Sequence, residues 1–304
     1  MRWLLLSILL PLLNAETFAV KPLRVRQGEA LRLTADASAE AAKLGKRKVP
    51  LFPDGQSKTG LMPIGIGAKP GTYSIEFLDS ENSVLAKTSF TVIDAHYPKQ
   101  NVVLPKAVAE LKSSPEEREN VNAFRAEETP ERFWQEPLHR PIPGCMTSLF
   151  GVERYINGKP TGDYHAGIDQ RGAAGTPIHP VANGIVRLAA QYELRGGTVA
   201  VDHGQGVTSI YLHMSKVLAK PGDRVTIADS LGLVGSTGRS TAPHLHWTLY
   251  VHGEPVNPNQ WIRNVPCAVR PVPNAHQPAK HTQTATFSPH PAGAEGSDSS
   301  AIQR

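Results

Sequence analysis

Two histidines set two residues apart, His244 and His246, stand in the run Pro243-His244-Leu245-His246-Trp247-Thr248-Leu249-Tyr250-Val251. Leu245, Trp247, Leu249 and Val251 alternate with His244, His246, Thr248 and Tyr250, the period of a strand with one apolar and one polar face. Both imidazoles therefore project to the same side. His165 and Asp169 form a second group, in Tyr164-His165-Ala166-Gly167-Ile168-Asp169. Their spacing suits one helix face, yet Gly162, Gly167 and Gly172 argue against a helix, so a turn or strand end presenting both side chains inward fits better. His213, in Tyr211-Leu212-His213-Met214, ends another strand-like run. Taken singly, the His165–Asp169 pair and His213 are each more often hydrogen-bonded structural groups than a site, whereas the His244–His246 strand is better explained by a polar site on one sheet face.

Together they offer imidazole nitrogens and a carboxylate, a donor set that suits zinc. Three protein ligands would leave a fourth position open for water, whose pKa zinc lowers to about 7. The HExxH helix is absent, and with it the usual glutamate base, so a histidine has to act as base or electrophile.

In this order, HxxxD, YxH and the run Gly235-Ser236-Thr237-Gly238-Arg239-Ser240-Thr241-Ala242-Pro243-His244-Leu245-His246-Trp247 resemble the lysostaphin-type (LytM-like) zinc peptidases. The resemblance runs from Cys145 to about Trp261 and includes Ser148-Leu149-Phe150-Gly151, Gly175-Thr176-Pro177, Val201-Asp202-His203-Gly204 and Lys220-Pro221-Gly222-Asp223. It implies a mostly antiparallel β structure with a groove, and peptidoglycan peptides as substrate. Carried over position by position, it implies one zinc ion held by His165, Asp169 and His246, with His213 and His244 as the catalytic histidines beside the open position. Two departures, Ala242 where the family often has Gly and Ile178-His179 in place of an apolar-aromatic pair, remove no ligand. His179 and His203 read as structural. The competing reading is a non-catalytic wall-binding or amidase-regulating module of the same family, although all five site positions are retained here. A zinc carboxypeptidase, or a peptidase for protein substrates, would keep the site and change the substrate.

The elements that must position these residues follow from patterning along 304 residues, 40% of them hydrophobic and 19% charged, which excludes wholesale disorder. Gly and Pro at 26 each favour turns and short strands over long helices. Arg2 followed by the apolar run Trp3 to Leu13 reads as a signal peptide over 1–19, with cleavage after Ala19 or, as a second candidate, Ala15. Residues 20–94 alternate like a small antiparallel β-sandwich, an accessory domain. Residues 95–140 read as a solvated, partly helical linker, with starts at Ser114-Pro115-Glu116-Glu117 and Thr129-Pro130-Glu131. Residues 141–267 form the peptidase domain. Residues 268–304 are a disordered tail whose His276, His281 and His290 are scattered in solvent. The fold class is thus mainly β.

The net charge of +5 is too modest to imply nucleic acid, and no second apolar run implies a membrane span after signal removal. Export places the chain in the periplasm or outside the cell. There Cys145 and Cys267, flanking the peptidase motifs, are expected to form a disulfide. Closing so long a loop stabilises by up to about 4–5 kcal/mol in the chain-entropy model.

Overall fold

The computed structural model describes residues 18–262, so most of the signal segment, the tail and Cys267 lie outside the described residues. The chain is mainly β, as its patterning requires. In the N-terminal third, alternating residues build two sheets. Ala19–Lys21, Ala30–Asp36, Ser57–Pro63 and Phe52–Asp54 lie side by side in one. Arg24–Arg26, Val84–Ile93, Gly71–Leu78, Ala41–Leu44 and Arg47–Pro50 form the other. Leu31, Leu33 and Met62 of the first meet Ile75, Phe77 and Phe90 of the second in one shared core. One pairing departs from the expected antiparallel pattern: Arg24–Arg26 runs parallel to Val84–Ile93. Pro22 and Leu23 carry the chain from one sheet to the other without a hairpin to reverse it.

The connector differs from the solvated linker its charge suggested. Lys99–Val102 pairs in parallel with Glu153–Ile156, which pairs with Lys159–Tyr164, so the connector supplies an edge strand to the peptidase region. The helix starts where the capping box predicts: Ser114 Oγ accepts from Glu117 N at 3.0 Å, with Pro115 in the first turn. Glu117, Val121 and Phe124 share a stripe of this helix, Pro115–Arg125, and all three are buried. Val121 and Phe124 pack on Ala200, Ile210, Leu212 and Tyr250. The second expected helix start does not form one. Thr129 Oγ1 instead donates to Asp202 Oδ2 at 2.5 Å and its carbonyl accepts from Gln205 N at 2.6 Å. Asp202 of strand Gly196–Gly204 and Gln205 just beyond it take the polar groups that would have capped a helix.

The sheet that carries the histidines runs Met146–Ser148, Ile168–Arg171, His244–Val251, Val207–Met214, Gly196–Gly204, Gly184–Tyr192, Arg224–Val225. Every pairing in this order is antiparallel. One face supplies Ile168, Val199, Tyr211, Leu245, Trp247 and Leu249 to the main core, which also takes in Ala30 and Leu61 from the N-terminal sheets. The opposite face carries the 115–125 helix and, beside it, the polar cleft.

Candidate metal centre and cleft

Strand register puts the first two ligand candidates face to face. Asp169 lies directly opposite His246, with Ile168 opposite Trp247, in adjacent antiparallel strands. The turn before Ile168 must pass close to the neighbouring strand. A Cβ on Gly167 would lie 2.1 Å from the Trp247 carbonyl oxygen, so only glycine fits. That close passage brings His165 in from the preceding hairpin. His165 Nε2 and His246 Nδ1 stand 3.1 and 2.8 Å from the same Asp169 Oδ1, and 3.0 Å from each other. Asp169 is thus a strand-borne carboxylate and His165 a turn residue, in place of one helix face.

The far nitrogen of each ring is also held. His165 Nδ1 donates to the Leu149 carbonyl at 2.7 Å, leaving the Nε2 lone pair turned inward. His246 Nε2 is left to donate to Thr248 Oγ1 at 3.2 Å. The other carboxylate oxygen, Asp169 Oδ2, accepts from Arg154 Nη2 at 3.1 Å. Burial pushes the Asp169 carboxyl up, but the His165 and His246 rings together hold it well below the usual carboxylate range. Burial drives His246 down to about 4, so its ring is neutral and its lone pair available at neutral pH. Three buried or half-buried donor atoms converging on one point, each backed by an outer partner, can hold a metal ion. The donor chemistry fits zinc.

His213 reaches the cleft by breaking the alternation of its strand. Tyr211 and Met214 both face the core, which strict period two forbids. The register slips between Val199–Tyr211 and Gly197–Met214, a bulge in which Leu212 and His213 oppose Thr198 alone. His213 takes the left-handed conformation, φ +65°, a strain of about 1–3 kcal/mol for a residue with a Cβ. Leu212 and His213 consequently both line the cleft. The His213 ring centre lies 5.0 Å from that of His244 and 6.1 Å from that of His246. Its Nδ1 donates to the Thr237 carbonyl at 2.8 Å, as His244 Nδ1 does to Ala242 at 2.8 Å. Both rings therefore keep Nε2 free as a base. Burial, with His246 and His244 nearby, drives His213 down to about 3.

All five residues singled out in the sequence line one cleft of about 650 Å³. His179 and His203 lie elsewhere: His179 Nδ1 donates to the Asp229 carbonyl at 2.9 Å. His203 is fully buried, between the Asn183 carbonyl at 2.8 Å and Ser209 Oγ at 2.7 Å. Sequence reasoning missed Arg154 and gave Thr248 no role. Thr248 was findable, two residues from His246 on the same strand face. Arg154 carries no local signal, because only the pairing of Glu153–Ile156 brings it to Asp169.

A β sheet with a convergent His-Asp-His donor set and two further histidines defines a metal-binding class of site. Residues 163–258 match the model of peptidase family M23, and the chain carries an M23 peptidase domain, in agreement with the resemblance its motifs show. It is 39% identical over 104 residues to the peptidoglycan DD-endopeptidase ShyA of Vibrio cholerae serotype O1, a match covering 34% of this chain and 24% of that protein. It is 39% identical over 94 residues to the DD-carboxypeptidase/endopeptidase Mpg of Neisseria meningitidis serogroup B, covering 31% and 22%. The match thus spans about a quarter of these relatives' length. The crystal structure of a Pseudomonas aeruginosa protein assigned to peptidase M23 superimposes with TM-score 0.58 at 28% identity, over 76% of this chain and 92% of that one.

Proposed function

We propose that this chain is an exported zinc metalloendopeptidase that hydrolyses peptide bonds of bacterial peptidoglycan. The observation that carries the reading is the convergence of His165 Nε2, Asp169 Oδ1 and His246 Nδ1 within 3.1 Å of one another at the foot of a cleft that His213 and His244 also line. His165, Asp169 and His246 would hold the ion. Bound zinc would supply Lewis-acid polarisation of the scissile carbonyl and an activated water. Asp169, kept ionised, contributes the negative charge that matches a cation. His213 and His244, each with Nδ1–H fixed on a carbonyl, present Nε2 to the cleft, where one takes the proton of the attacking water. The other, once protonated, donates a hydrogen bond to the developing oxyanion. The low basicity of His213 favours a neutral ring there at neutral pH.

Export and the Cys145–Cys267 bridge belong to the same proposal. Of the two candidate cleavage sites, Ala15 leaves Ala19–Lys21 whole, and with it Phe18, whose ring centre lies 5.2 Å from that of Phe77. The test is metal analysis beside hydrolysis of purified sacculi. His246→Ala should lose both zinc and activity. His244→Ala should keep zinc and lose about 10²–10⁴-fold in rate. Equal metal loss in the two variants would overturn the division of roles.

A further inference from the structure

Ser148 ends the edge strand Met146–Ser148 and lies register-opposite Asp169. It is buried, at 7% exposure. Three groups reach its hydroxyl: Gln100 Oε1 at 3.0 Å, His165 Nδ1 at 3.3 Å and Arg154 Nη2 at 3.3 Å. A hydroxyl carries one proton and two lone pairs, so these three partners fill it. The proton goes to Gln100 Oε1. The lone pairs accept from the Arg154 guanidinium and share the His165 Nδ1–H with the Leu149 carbonyl.

Both of those donors lead on to the metal centre. The same Arg154 Nη2 donates to Asp169 Oδ2, and the same His165 ring turns its Nε2 toward Asp169 Oδ1 and His246. One hydroxyl therefore backs two of the three ligand candidates. Gln100 decides which way that hydroxyl faces. Without its acceptor, the Ser148 proton is free to turn toward Arg154 or His165, donor against donor. Gln100 belongs to the connector strand Lys99–Val102, whose parallel register sets it beside Arg154. Its neighbour Lys99 points the other way, as alternation requires. That side chain is 68% exposed, with Nζ 3.8 Å from Glu153 Oε2. Gln100, Ser148 and Arg154 all lie outside residues 163–258, the span of the family match.

Resting on the zinc centre of the reading above, we propose that Gln100 is a positioning residue for that centre, acting through the Ser148 hydroxyl on His165 and Arg154. Docking of the connector strand then presets the ligands, and zinc affinity is governed in part from outside the family-matched span. Ligands held in place before binding lose less freedom when the ion arrives, so a misdirected hydroxyl shows as weaker zinc binding.

The experiment is a double-mutant cycle on the full chain, read by zinc competition with a chromophoric chelator and by the visible absorption of the cobalt-loaded form. Ser148→Ala should weaken zinc binding by about tenfold, the lower end for an outer partner of a metal ligand. Gln100→Met keeps the length and removes the acceptor, and should weaken binding by about threefold, being one step further out. Both should shift the cobalt bands in the same direction. The double variant should bind no more weakly than Ser148→Ala alone, because Gln100 acts only through that hydroxyl. Lys99→Met should match the wild type. Additive losses in the double variant, unchanged zinc affinity or cobalt bands in Gln100→Met, or an equal loss in Lys99→Met would overturn the proposal. Should Ser148→Ala fail to fold, Ser148→Cys, similar in size and weaker in hydrogen bonding, takes its place in the cycle. A wild type that binds no zinc overturns this proposal and the peptidase reading together. Zinc binding with an additive cycle overturns the positioning role alone.

Discussion

His165 and His246 each turn one nitrogen to Asp169 and anchor the other, and the anchors are unequal. His165 leans on a backbone carbonyl, which no substitution removes, whereas His246 leans on the Thr248 hydroxyl. Thr248→Val keeps the shape and deletes that partner. It should weaken zinc binding by about 10–100-fold, read by competition with a chromophoric chelator. His203 makes a separate point about burial. Its pKa is lowered to about 4 from 6.5 because burial penalises the charged ring, so the folded state keeps it neutral while the unfolded chain takes up a proton. The stability from this residue is therefore full above pH 6.5 and falls away as pH drops toward about 4, by about 3 kcal/mol. Urea midpoints from pH 7 to 4 should fall less steeply in His203→Gln than in the wild type. Identical slopes would show that His203 is not the titrating group.

At the scale of elements, the strand His244–Val251 was readable from the sequence because its alternation is unbroken. The strand bearing His213 was readable only in part. Period two points His213 into the core, and the bulge that reverses it depends on the partner strand. Arg154 was illegible for the same reason, since the parallel pairing of Lys99–Val102 with Glu153–Ile156 joins segments about fifty residues apart. The helix Pro115–Arg125 shows the opposite case: its capping box was legible, but its dense charge hid the stripe of Glu117, Val121 and Phe124 that seats it beside the cleft. Phe124 is 2% exposed, packed edge-on to Tyr250 at 6.4 Å between ring centres. Phe124→Ala should cost about 3–5 kcal/mol in urea unfolding. A loss under 1 kcal/mol would mean that the helix adds little to the stability of the sheet.

Across the whole molecule, the N-terminal sheets and the peptidase region share packing. Ala30 and Leu61 belong to the peptidase core, and Gln260 exchanges two 2.8 Å hydrogen bonds with the Ala30 backbone. Arg32 adds a salt bridge to Glu136 at 2.9 Å and lies over the Trp261 ring. Calorimetry should therefore show one cooperative transition rather than two separated ones. The central claim, that the His165-Asp169-His246 cleft hydrolyses peptidoglycan peptides, is tested most directly by mass spectrometry of muropeptides released from purified sacculi by the zinc-loaded chain. The masses of the two products of each cut should sum to that of their cross-linked parent plus one water, and a chelator should abolish release until zinc is restored. Intact peptides with cleaved glycan, or release that a chelator leaves unchanged, would contradict the account.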